Sequence, residues 1–124
     1  MSVPILKQGG VLIASIQAAL TDRDLLGFQD ELAEKVGRFR SHGVIIDVTA
    51  LDVMDSFATR TLRSIAQATR LRGAETVIVG IQPEVAMAMI QLGLALDGVA
   101  TALDLEEGLE LLAAGGKGSG AGGK

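Results

Sequence analysis

Hydrophobic and polar positions change period several times along this chain, and each change predicts an element. Two short apolar runs, "VPILKQ" and "VLIASIQ", flank Gly9-Gly10 and read as the two strands of a hairpin. Thr21 or Asp22 can cap the next element. Leu25, Phe28, Leu32, Val36 and Phe39 then recur at helical spacing, one stripe of an amphipathic helix. On its polar side, Glu31 with Lys35 and Glu34 with Arg38 are i,i+4 pairs, each worth ~0.2–0.5 kcal/mol. The continuous β-branched run "HGVIIDVT" predicts a strand covered on both faces, and "AETVIVGI" predicts another. Between them, Ala58, Leu62, Ile65 and Thr69 mark a second helix from Ser56 to Leu71.

Gln82-Pro83-Glu84 opens a third helix, with proline at its first position, expected over 83–95. That segment is apolar nearly all round, so its outer side is expected to meet a partner. "VATALDL" gives one short strand. Asp104 caps a last helix, "LEEGLELLAA", with Glu107 as its capping-box partner and Gly115-Gly116 as its stop. The sum is an α/β fold, a mixed sheet of about five strands with about four helices packed against it. One domain is expected over residues 1–114, followed by a flexible glycine-rich tail over 115–124, "GGKGSGAGGK".

Composition narrows the function. The 124 residues allow one domain, and 2% aromatics with no Trp or Tyr predict an aliphatic core. The absence of Cys removes disulfides, thiolate zinc sites and thiol nucleophiles. A formal net charge of −4 with almost no aromatics argues against nucleic acid, which wants phosphate neutralisation and base stacking. "MSVPILKQGG" lacks a signal-peptide pattern, and no apolar run reaches ~18 residues, so a cytoplasmic chain without membrane contact is expected.

Catalytic parts are few. His42, the single imidazole, lies in a turn with no nucleophile or ligand spacing beside it, and no G-x-S-x-G elbow or phosphate-binding glycine motif occurs. Asp47, Asp52 and Asp55 cluster after a buried strand. A magnesium-bound phosphoacceptor aspartate would also want a lysine after a late strand, and none precedes Lys117. Turn-forming and capping roles suit these acids better. Ser56 follows Asp55 at a helix start, where amides lack partners and the helix dipole is positive. It is either part of a cap or an acceptor whose modification adds about −1.5 to −2 charges to a docking surface. Arg60, Arg63 and Arg70 share one face of that helix, with no acid between Ser56 and Glu75, which suits an acidic partner.

The words "PILK", "SIQ", "GVIIDVTALDVMDSF", "GIQPEVA" and "ALDLEEGLELL", in this order from Pro4 to Leu112, resemble the STAS domain proteins. More narrowly, they resemble anti-sigma factor antagonists of the stressosome scaffold branch, whose signature is "DSF" after an "IDVT" strand. The resemblance implies the STAS fold and a protein that is not an enzyme and uses no cofactor or metal. It implies that Ser56 is the phosphorylation site, with Thr59 a secondary acceptor and Asp55, Ser56, Phe57, Arg60 and Arg63 binding partners. The implied partners are an RsbR-like STAS paralogue, an RsbT-like serine kinase held until Ser56 is phosphorylated, an RsbX-like phosphatase, and further copies of the chain. A different reading is a ligand-sensing STAS module, with a nucleotide or lipid between the "DVTALDVMDS" loop and the neighbouring helix start.

Overall fold

A computed structural model describes residues 3–94, 96 and 98–118. The opening hairpin forms as β1 (Ile5–Gln8) and β2 (Val11–Ser15), antiparallel, with Gln8 opposite Val11. Gly9 turns it at φ 61°, a conformation that favours glycine. Helix α1 (Asp22–Phe39) then leads to β3 (Gly43–Asp47), α2 (Ser56–Leu71), β4 (Glu75–Val79), α3 (Pro83–Gln91), β5 (Ala100–Ala102) and α4 (Leu105–Gly118). The strands lie in the order β1-β2-β3-β4-β5, and every pairing after the hairpin is parallel. This is the expected mixed sheet of five strands with four helices.

Both faces of the central strands are covered, which is why β3 and β4 read as unbroken apolar runs. On one face, Leu12, Ala14, Val44, Ile46 and Ile78 pack with Phe28, Leu32 and Val36 of α1, Leu62 and Ile65 of α2, and Val85 and Met89 of α3. The other face, Val11, Ile13, Ile45, Val77 and Val79, takes α4 through Leu112 and Leu109. Gly108 allows this close approach: a Cβ there would stand 2.8 Å from Val79 Cγ1 and 3.3 Å from Ile45 Cδ1.

Caps follow local chemistry. Thr21 is the N-cap of α1, its hydroxyl accepting from the Asp24 amide at 3.0 Å while Asp24 accepts from the Thr21 amide at 3.4 Å. At α4, Asp104 accepts from the Glu107 amide at 2.9 Å, but the Glu107 carboxylate reaches one residue further back, to the Leu103 amide at 2.6 Å. The surface pairs Glu31–Lys35 and Glu34–Arg38 form at 3.9 and 3.1 Å.

Several boundaries differ from those the pattern predicts. Phe39, the last member of the α1 stripe, is 38% exposed, because the helix ends there and its ring lies at the rim between Lys7 and Arg38. Ala58 is only half-buried, and the inward stripe of α2 is Thr59, Leu62, Ile65, Ala66 and Thr69. Helix α3 stops at Gln91 rather than 95, where Gly93 at φ 70° turns the chain away. Helix α4 continues through Gly115-Gly116 to Gly118, and the rest of the expected tail, 119–124, lies outside the described residues.

Two stability predictions arise here. Arg40 caps α1 in the left-handed region at φ 52°, where an L side chain costs ~1–2 kcal/mol and glycine costs little. Arg40→Gly gains that relief and loses part of it to unfolded-chain entropy. A net rise in stability of about 0.5 kcal/mol is expected in denaturant titration. Between α2 and β4, the buried hydroxyls of Thr69 and Thr76 meet at 2.7 Å, and Thr69 also bonds the Ala66 carbonyl at 3.1 Å. Thr69→Val strands the Thr76 hydroxyl and should cost ~1–3 kcal/mol, whereas the Thr69→Val/Thr76→Val pair should recover most of that loss. A double variant no better than the single one contradicts the pairing.

Candidate functional site

The loop from β3 to α2 carries the acids and the serine singled out in the sequence. Asp47, half-buried at the end of β3, accepts from both the amide and the hydroxyl of Thr49, at 2.9 and 2.6 Å. Leu51 and Met54 are buried in the core and pin the loop from below. Asp55 is the N-cap of α2, its carboxylate accepting from the Ala58 amide at 2.8 Å. Asp47 and Asp55 are therefore engaged in turn and cap roles. Among the described residues no group of His, Asp and Glu is arranged to hold a metal ion.

Because Asp55 does the capping, Ser56 is the first helical residue and its side chain is free of that duty. It is half-buried, as is Phe57 beside it. First-turn amides have no intrahelical carbonyl to bond, and the dipole there is positive, so an anion on the Ser56 oxygen would be stabilised electrostatically. Arg60 follows one turn later on the same side and is exposed, and it takes no part in the surface ion pairs of Lys35, Arg38 or Arg70. Arg63 is half-buried on that side. Arg70 is employed elsewhere, bonding the Gly98 carbonyl at 2.6 Å and Glu75 at 3.6 Å. The exposed basic charge nearest Ser56 is thus Arg60, and the far end of the stripe, at Arg70, is partly neutralised.

Thr59 requires a correction. It is 0% exposed, and its hydroxyl donates to the Asp55 carbonyl at 3.0 Å. At three and seven residues before Leu62 and Ala66 it points inward, so the folded protein presents no Thr59 hydroxyl to a modifying enzyme. His42 is exposed in its turn, its ring lying against Gly10.

A small apolar cavity opens where the ligand-sensing alternative would place a ligand, between the start of α1 and the β3–α2 loop. Ile16, Leu20, Leu25, Leu51, Met54 and Leu62 line it, with Asp55 at its edge. Its volume is about 70 Å³, against the ~300–1,000 Å³ usual for small-molecule sites. A nucleotide does not fit.

One part of this site escapes a reading of the sequence. Gly80, at φ 80°, faces Thr49 so closely that any Cβ would collide with the Thr49 hydroxyl. Beside it the Gln82 amide donates to the Thr49 carbonyl at 2.7 Å. The one available signal is a glutamine at an N-cap, a position that favours Ser, Thr, Asp or Asn.

No helix among the described residues is long and apolar enough to cross a membrane. Comparison with known proteins agrees with the geometry. RsbS of Moorella thermoacetica, solved as a serine-to-glutamate variant, superposes with a TM-score of 0.78 at 38% identity, covering 90% of this chain and 95% of that one. A chain from a structure of the stressosome, described there as a signal integration and transduction hub, gives 0.76 at 37% identity, covering 93% and 100%. The RsbT co-antagonist protein RsbRA of Bacillus subtilis (strain 168) is 33% identical over 81 residues, 65% of this chain. This chain spans about 30% of the length of that relative. The model of the STAS domain matches residues 2–108, which include every strand and the whole Ser56 loop, and the chain belongs to the STAS domain family.

Proposed function

We propose that this protein is a scaffold and antagonist of the stressosome type, which holds a serine kinase and releases it when Ser56 is phosphorylated. The observation that carries the reading is the Ser56 hydroxyl itself, half-exposed at the first residue of α2, uncommitted to capping and one turn from Arg60. The likeness to RsbS and to a stressosome chain supports it, as does the match with RsbT co-antagonists. On this reading the partners are an RsbT-like kinase, an RsbR-like STAS paralogue assembled with further copies of this chain, and an RsbX-like phosphatase. The docking surface comprises Asp55, Ser56, Phe57, Arg60 and Arg63, and the protein contributes binding rather than catalysis.

The direct test incubates the protein with the kinase and ATP and maps phosphate over residues 54–60 by mass spectrometry. Phosphate on Ser56 and none on Thr59 is expected; an unmodified Ser56 ends the proposal. A second prediction concerns charge. Arg60→Glu should slow kinase association several-fold at low ionic strength, and the difference should shrink as salt is raised, since an exposed charge steers encounter and is screened. Stopped-flow association at two salt concentrations decides it.

A further inference from the structure

We infer that Gln82 is a positioning residue for the Ser56 loop, acting through Thr49; the link to phosphorylation rests on the function proposed above, while the mechanical claim stands alone. Thr49 begins the loop that ends in Asp55 and Ser56, and it is held on three sides. Asp47 takes its amide and hydroxyl, Gly80 abuts its side chain, and Gln82 donates to its carbonyl at 2.7 Å. The first hold is local. The Gln82 bond spans 33 residues and joins two separate connections, β3–α2 and β4–α3.

The helix that Gln82 opens gains nothing from this side chain. Gln82 is the N-cap of α3 and makes no side-chain capping bond. A residue that breaks a local preference is expected to satisfy a demand elsewhere, and here the amide is spent on Thr49. Gln82 is half-buried while Thr49 is exposed, so the bond lies at the surface, and what it offers the loop is a long-range tether rather than a buried contact. Removing it leaves the loop attached by Asp47 and by the buried Leu51 and Met54. The expected effect is therefore loosening of residues 49–55 rather than unfolding. A kinase docking on a looser loop must order it first, which weakens binding without altering the chemical step.

Three full-length variants separate donor from shape. Gln82→Met keeps length and removes the donor, Gln82→Glu replaces the donor by an acceptor, and Gln82→Lys keeps a donor of similar reach. Hydrogen exchange by mass spectrometry should show amides 49–55 exchanging about tenfold faster in the Met and Glu variants. The Lys variant should stay near wild type, and β3 and β4 should be unchanged in all three. Phosphorylation of Ser56 should show KM raised about threefold in the Met and Glu variants, with kcat kept and the Lys variant again near wild type. Unchanged exchange over 49–55 in both Met and Glu variants overturns the inference, as does equal loosening in the Lys variant. Faster exchange with unchanged KM overturns its link to Ser56. If wild-type Ser56 takes no phosphate, the proposed function fails, and the exchange data still decide whether Gln82 positions the loop.

Discussion

On the proposed function, a protein carrying Ser56→Asp is expected to bind the serine kinase about 100-fold more weakly than wild type, a loss of ~2.7 kcal/mol. The added carboxylate stands at the first residue of α2, next to Asp55 and one turn from Arg60. A partner that complements Arg60 presents negative charge there, so the substitution sets like charges together at a surface that must be desolvated. Phosphoserine, with about −1.5 to −2 charges, should weaken binding further. The same carboxylate favours the helix, because an acid in the first turn gains ~0.3–1 kcal/mol from the dipole. Binding should therefore fall while the melting temperature holds or rises slightly, which separates a docking effect from damage to the fold. Ser56→Ala should bind within about threefold of wild type, since only a hydroxyl is lost, and should hold the kinase in the presence of ATP. Titration calorimetry with the kinase, paired with scanning calorimetry of the free protein, measures both. Equal affinities for the Asp variant and wild type contradict the switch.

The second large effect belongs to Gly80. Gly80→Val is expected to cost about 3–5 kcal/mol, enough to leave a domain of ordinary stability largely unfolded at moderate denaturant. Two terms add. A β-branched residue at φ 80° sits in backbone space that L side chains avoid, at ~1–3 kcal/mol. Its Cβ would overlap the Thr49 hydroxyl and lie 3.2 Å from Thr49 Cα, so the neighbour cannot yield by a simple rotamer change. Gly80→Ala isolates the terms. Combining it with Thr49→Gly removes most of the contact and leaves the backbone strain, so the double variant should regain part, but not all, of the loss. Urea unfolding of the three variants measures this, and a Gly80→Val protein as stable as wild type contradicts both terms.

Much of the architecture is legible in the sequence because its causes are local. The runs in β3 and β4 announce strands covered on both faces, and Leu25, Phe28, Leu32 and Val36 announce one face of α1. The Gly9-Gly10 hairpin and the Asp104 cap follow from turn and cap chemistry. Where pattern and structure part, an apolar run continues beyond the element that carries it, or a polar residue hides inside one. Leu92, Leu94 and Leu96 keep the sequence hydrophobic after α3, while Gly93 turns the backbone out of the helix. Thr59 enters as a secondary acceptor through the family resemblance, yet it leads Leu62 and Ala66 at helical spacing and the backbone satisfies its hydroxyl. Ser56 is legible through Asp55 and the "DSF" word. The Gly80–Thr49–Gln82 contact is not, since no local pattern encodes a bond between residues 33 positions apart.

Helix α4 starts after β5, on the same edge of the sheet as the β3–α2 loop, and runs back across the sheet to Gly118. Thirteen residue steps of ~1.5 Å carry the chain ~20 Å from where that helix begins. An affinity handle, fluorophore or surface tether joined after Gly118 would thus leave from the pole opposite Ser56, giving immobilised protein whose Ser56 end faces the solution.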